Sequence, residues 1–140
     1  MLIFKESQGI GISLPPHQQL NLSDKEEISN AINTNSVLAF DIYEDGKLMA
    51  FAMLRRYKTG FFLWDYAVDY NFQKRGNGTK ILKALIEKLT NEFDAKFITT
   101  TYKYGNESAK RLYEKLGFVQ TDVVNENGIY EINMLLQLRK

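Results

Sequence analysis

An α/β domain with a mixed, mostly antiparallel central sheet flanked by helices is the fold this sequence predicts, and three patterns carry the prediction. Ile81, Leu82, Leu85, Ile86, Leu89 and Phe93, and then Ala109, Leu112, Tyr113 and Leu116, recur at the three- and four-residue spacing of two amphipathic helices. The run from Phe61 to Val68 is apolar on both alternating faces, which suits a central strand covered on each side. Two pairs, Asp45-Gly46 and Asn127-Gly128, stand between strand-like runs and fit tight hairpin turns. A chain of 140 residues has the usual size of one domain, expected here to span 1–140.

The elements follow in order. Residues 2 to 5 suit a short edge strand, and Gly9 to Gln19, with Gly11 and Pro15-Pro16, reads as a loop or irregular arm. Ser23 and Glu26 have capping-box spacing, so a helix is expected from there through Ile28, Ala31 and Ile32, ending in the polar cluster Asn33 to Ser36. Val37 to Tyr43 and Leu48 to Leu54 form the first hairpin, and the aromatic strand opens after Gly60. A polar, glycine-rich link leads to the long helix. Lys96 to Tyr102 is then a strand, the second helix ends at Gly117, and Phe118 to Val124 with Ile129 to Leu138 make the last hairpin.

Composition narrows the function classes. Hydrophobic residues make up 44% and charged residues 25% of the chain, as in an ordered soluble domain. A net charge of +1 offers no extended electrostatic footprint for nucleic acid or an anionic membrane, so neither is expected as a partner. With no cysteine and one histidine, His17, a dedicated metal site is not expected. Charge comes too early for a secretion signal and no run approaches the roughly 20 apolar residues of a membrane span, so a cytoplasmic protein is the expectation.

Gln73-Lys74-Arg75-Gly76-Asn77-Gly78 joins the aromatic strand to the long helix. The first helical turn has backbone N–H groups without internal acceptors, and glycines at 76 and 78 keep side chains out of their way. Lys74, Arg75 and Lys80 can add positive charge to such a pyrophosphate site. Gly78-Thr79-Lys80 is not the glycine-lysine-serine order of a nucleotide-triphosphate loop, and Ile81 stands where the dinucleotide fingerprint has a third glycine. A basic connection ahead of an ordinary helix fits the same letters.

Asn106, Ala109 and Tyr113 share one face of the second helix. Two readings fit them. One is a cap, a close contact and a packed ring; the other gives the Tyr113 hydroxyl a chemical task in a cleft.

Gln73-x-x-Gly76-x-Gly78, followed by Asn106-x-x-Ala109-x-x-Leu112-Tyr113-x-x-x-Gly117-Phe118, resembles the GNAT superfamily of N-acetyltransferases, with a cofactor core over residues 60 to 118. The resemblance implies acetyl-coenzyme A as cosubstrate, its pyrophosphate on the turn from Gln73 through Lys74, Arg75, Gly76, Asn77 and Gly78 to Thr79. It implies a splayed strand end at Tyr66-Ala67-Val68 that pairs with the pantetheine arm as an added strand would. It also brings Asn106 and Ala109 to the arm, and Tyr113 to the sulfur.

The implied reaction is direct attack of an amine on the thioester, with the Val68 N–H near the developing oxyanion and Tyr113 as the acid for the leaving thiolate. A phenol with a pKa of about 10 is protonated at neutral pH and suits that task. In the family this chain resembles, some polyamine-acetylating members use a glutamate as base near the start of this strand. The corresponding position here is Trp64, which cannot serve. Asp65 is the candidate base, with a structural hydrogen-bonding role as the alternative; strict alternation turns it to the face opposite Trp64, and a bulge would change that. Asp69 and a water route are further candidates.

The expected acceptor is a small primary amine. A peptide or protein N-terminus or lysine is the alternative within the family, and a noncatalytic acyl-coenzyme A binding domain the alternative outside catalysis. A homodimer is compatible with the sequence, although no pattern in it requires one.

Overall fold

Seven strands pair in the order β1-β2-β3-β4-β5-β7-β6, and every neighbouring pair is antiparallel except β4 with β5. The computed structural model describes residues 1–138. The strands are β1 (Leu2–Glu6), β2 (Val37–Glu44), β3 (Lys47–Arg56), β4 (Gly60–Val68), β5 (Phe97–Lys103), β6 (Val119–Glu126) and β7 (Ile129–Gln137). The helices are α1 (Pro16–Gln19), α2 (Lys25–Ile32), α3 (Asn77–Phe93) and α4 (Glu107–Lys115).

Each face of the sheet has its own apolar layer. On one face Ile81, Leu82, Leu85 and Leu89 of α3 and Tyr113 of α4 pack with Ala52, Leu54, Leu63, Val68, Ile98, Ile132 and Met134. On the other, Ile28 and Ala31 of α2 and Ile12 of the arm cover Ala39, Phe51 and Met53. The amphipathic spacing that predicts α3 and α4 is the spacing of these buried side chains.

Two local expectations are corrected. Residues 16–19 form a helical turn inside the arm read as a loop, with Pro16 at a first-turn position where its missing N–H costs nothing. The cap of α2 is Asp24, not Ser23. The Asp24 carboxylate accepts from the Glu27 N–H at 2.8 Å, the Glu27 side chain accepts from the Asp24 N–H at 3.4 Å, and the Ser23 N–H is committed to Asp65.

The feature that builds the site lies within β4. Its parallel pairing with β5 covers only Gly60 to Leu63 against Phe97 to Thr100, and beyond Leu63 the two strands separate. At the same point the register with β3 slips, because Leu63 faces Leu54 while Asp65 faces Met53, leaving Trp64 as an extra residue.

Candidate active site at the splayed strands

The bulge changes which way Asp65 looks. Directly opposed residues share a face of the sheet. Asp65 opposite Met53 therefore lies on the α2 face, the face that Trp64 also packs against, so the alternation expected of a regular strand fails here. Tyr66 and Val68, opposite Ala52 and Ala50, return to the α3 face.

Asp65 is only 4% exposed. Its Oδ1 accepts from the Ser23 N–H at 3.0 Å, and its Oδ2 is buried without a hydrogen-bond partner among the described residues. Burial raises its pKa above the ordinary carboxylate value; the Ser23 bonds oppose the shift and the nearby Glu27 charge adds to it. Trp64 lies half-buried beneath the Arg55 guanidinium, 5.1 Å from the ring centre. Asp69 is consumed by structure: its carboxylate accepts from the Ser13 and Asn71 N–H groups and from the Asn71 side chain.

Tyr113 stands on the opposite face, buried against the rings of Tyr102 and Phe118. Its hydroxyl meets the Thr100 side chain, and the Thr100 hydroxyl donates to the Leu63 carbonyl at 3.0 Å. Leu63 and Thr100 are the last parallel pair, so this places Tyr113 at the closed end of the splay. Burial pushes the phenol pKa up, Thr100 lowers it in part, and the Asp65 charge raises it further. The ring stays protonated well into alkaline solution.

The open edge of β4 can be read from its bonds to β3. The Asp69 N–H donates to the Met49 carbonyl at 2.8 Å, which makes Val68 and Ala50 a pair that exchanges no hydrogen bonds. The N–H and C=O of Val68 therefore point away from β3, into the splay, and by alternation those of Tyr66 do too. The Val68 carbonyl is taken by Gln73 Nε2 at 2.8 Å, while its N–H has no acceptor among the described residues. The peptide groups of Ala67 turn toward β3, so Ala67 offers the cleft no backbone pairing.

The turn after β4 is exposed at its tip and fixed at its base. Lys74 and Gly76 adopt left-handed conformations, with φ of 64° and 77°. A Cβ on Gly76 would meet no atom within 4 Å among the described residues, so that glycine serves backbone conformation and open approach together. No described side chain caps α3, and its first helical bond is Lys80 N–H to Gly76 at 3.1 Å. The N–H groups of Asn77, Gly78 and Thr79 thus precede the helical ladder and form an anion-facing end. The Asn77 side chain donates to the Phe72 carbonyl at 2.8 Å, and the Tyr66 hydroxyl donates to the Gly78 carbonyl at 2.7 Å, tying α3 to β4. Lys74 and Arg75 are exposed, but Lys80 pairs with Glu44 at 2.7 Å.

Asn106 caps α4, its Oδ1 accepting from the Ala109 N–H at 3.2 Å, which leaves its amide N–H groups to give. Ala109 is half-buried against the α3-side core. Among the described residues no three His, Cys, Asp or Glu side chains cluster as a metal site.

Sequence reasoning missed the tertiary role of the arm, which continues through residues 20–23 to α2. The Ser13 carbonyl accepts from the Tyr70 N–H, Gln18 bonds Gln73, Leu20 accepts from Lys103 Nζ at 3.0 Å and Ser23 donates to Asp65. The arm therefore bridges from β5 to β4 across the α2-side mouth of the splay. No local pattern carries that signal, since each bond joins residues more than forty positions apart.

Known proteins resemble this chain in sequence and in fold. The ribosomal protein bS18 alanine N-acetyltransferase of Escherichia coli (strain K12) is 32% identical over 89 residues, 61% of this chain and 57% of that protein. The spermine/spermidine N(1)-acetyltransferase of Bacillus subtilis (strain 168) is 33% identical over 95 residues, 62% of each. These matches therefore span less than two-thirds of either relative. The crystal structure of the Escherichia coli S18-alanine enzyme superposes with a TM-score of 0.77 at 21% identity, covering 100% of this chain and 96% of that one. A GNAT acetyltransferase from Elizabethkingia anophelis with acetyl-CoA bound gives 0.74 at 21% identity, covering 98% of each. The model of the acetyltransferase (GNAT) family matches residues 8–118, and with the splay, the open helix start and Tyr113 in one site, the chain belongs to that family.

Proposed function

We propose that this protein is an acetyl-coenzyme A dependent N-acetyltransferase that acetylates a small primary amine by direct attack on the thioester. The observation that carries the reading is the β4–β5 splay, with Tyr113 at its closed end and an uncapped helix start beside its open end. The pyrophosphate sits on the N–H groups of Asn77, Gly78 and Thr79, with Lys74 and Arg75 adding charge. The pantetheine amides pair with the cleft-facing groups of Tyr66 and Val68 and reach Asn106.

The amine nitrogen, freed of its ammonium proton, bonds to the acetyl carbon, and the oxygen that becomes negative accepts from the Val68 N–H. The carbon–sulfur bond then breaks, the thiolate takes the Tyr113 proton, and the surplus proton on the acylated nitrogen is released to solvent, from which the phenol is reprotonated. Asp65, on the opposite face, is the candidate acceptor of the amine proton, because a carboxylate with a raised pKa holds a proton closer to neutral pH. Two features support a small acceptor: the segment before α2 crosses the α2-side mouth, bonded to Asp65 and to Lys103, and a relative at 33% identity is named for polyamines.

The test is release of free thiol from acetyl-coenzyme A with polyamines, aminoglycosides, amino acids and peptides beginning with alanine. Thiol release with small amines but not peptides is expected. Turnover confined to peptides rejects the small acceptor, and cofactor binding with no amine-dependent release rejects catalysis.

A further inference from the structure

The two terminal amides of Gln18 and Gln73 meet as a reciprocal pair. Gln18 Nε2 donates to Gln73 Oε1 at 3.1 Å, and Gln73 Nε2 donates to Gln18 Oε1 at 2.7 Å. The same Gln73 nitrogen also donates to the Val68 carbonyl at 2.8 Å. Gln18 lies on α1, within the arm, and Gln73 opens the turn before α3.

An amide has a donor end and an acceptor end, and its neighbours decide which way round it sits. With Gln18 in place, the acceptor end of Gln73 is satisfied by Gln18, so its donor end faces Val68. Without Gln18 the Gln73 amide keeps only its bond to the Val68 carbonyl, its oxygen loses its protein partner, and the turn that carries it loses its tie to the arm. That carbonyl points into the splay beside the open Val68 N–H. The arm itself is held at both limbs of the splay, to Asp65 and Asp69 on the β4 side and to Lys103 on β5.

We infer that Gln18 is a positioning residue of the donor site: it fixes the Gln73 amide, holds the turn against the end of β4, and couples the arm on the acceptor side to the bound cofactor. The inference rests on the reading of the turn as the coenzyme A site. Neither residue does chemistry in it.

Gln18→Met keeps the length of the side chain and removes its hydrogen bonds, and Gln18→Ala removes both. Calorimetric titration with coenzyme A should show affinity reduced roughly three- to tenfold in both variants, the range expected for one or two neutral hydrogen bonds. The KM for acetyl-coenzyme A should rise by a similar factor, with kcat within about twofold of wild type. Amide exchange adds a readout of the coupling. Coenzyme A should slow exchange over residues 14–22 in the wild type, and that protection should be lost in Gln18→Met while the unfolding midpoint is kept. Wild-type affinity in Gln18→Met, or unchanged protection of the arm, overturns the inference and leaves the donor-site reading standing. Failure of the wild type to bind coenzyme A overturns both.

Discussion

The two halves of β4 make different use of the same backbone. From Gly60 to Leu63 the strand is bonded on both sides, to β3 and β5, and Phe61 and Leu63 are buried at 1% and 2% exposure. From Trp64 to Val68 it keeps β3 and loses β5, and a bulge at Trp64 turns Asp65 to the face opposite Tyr113. The closed half is an anchor. The open half presents unpaired peptide groups between an acid candidate and a base candidate. Changes in the closed half should therefore alter stability with chemistry intact, and changes around the open half should do the reverse.

The sharpest test of the open half is Tyr113→Phe. Thr100 keeps its bond to the Leu63 carbonyl without the phenol, so packing at the closed end of the splay survives. Turnover should fall about a hundredfold, the low end for loss of a general acid, with coenzyme A affinity essentially retained. Thiol release under single-turnover conditions reads the chemical step directly. A wild-type single-turnover rate removes Tyr113 from the mechanism.

In the closed half, Gly60→Ala should show the opposite profile. A Cβ there would lie 2.6 Å from the Phe97 carbonyl oxygen and 2.7 Å from its ring, and a backbone oxygen inside a parallel pair cannot swing aside. The expected cost is about 2 kcal/mol of stability, as for overpacking a core, measured by urea denaturation. Turnover per folded molecule should stay at the wild-type value. An unchanged denaturation midpoint, or a loss of turnover in fully folded protein, breaks the division between the two halves.

Much of this arrangement is legible in the residues. The wide apolar stripe of α3, the aromatic run of β4 and the two hairpin turns each draw on neighbours in sequence, and local periodicity records them. The open start of α3 is legible as well, since glycines at 76 and 78 and the absence of Ser, Thr or Asp at the cap leave its N–H groups bare. What is not legible depends on pairing across distance. The bulge at Trp64 exists only relative to β3, and alternation read along β4 alone assigns Asp65 to the wrong face. The cap of α2 shows the same dependence on a smaller scale: Ser23 has the capping spacing, but its N–H is taken by the distant Asp65, and the cap falls to Asp24.

Asp65 gives the subtlest prediction, because burial and chemistry act on the same carboxylate. Its folded-state pKa is raised above the ordinary aspartate value, chiefly by desolvation. The folded state therefore holds the proton more tightly than the unfolded state does. The resulting stabilisation is fully present below the unfolded pKa and is lost as pH rises through the folded pKa. Asp65→Asn carries no such titration, so its stability relative to wild type should improve from about pH 4 upward and level off once the folded pKa is passed. Denaturation of both proteins at several pH values measures this difference, and a difference that stays constant or falls across that range contradicts the raised pKa. If the carboxylate also takes the amine proton, the Asn variant loses the acidic limb of the kcat/KM profile as it gains stability. A stabilised variant with an unaltered profile assigns Asp65 to holding Ser23 and the arm, and gives the amine proton to solvent.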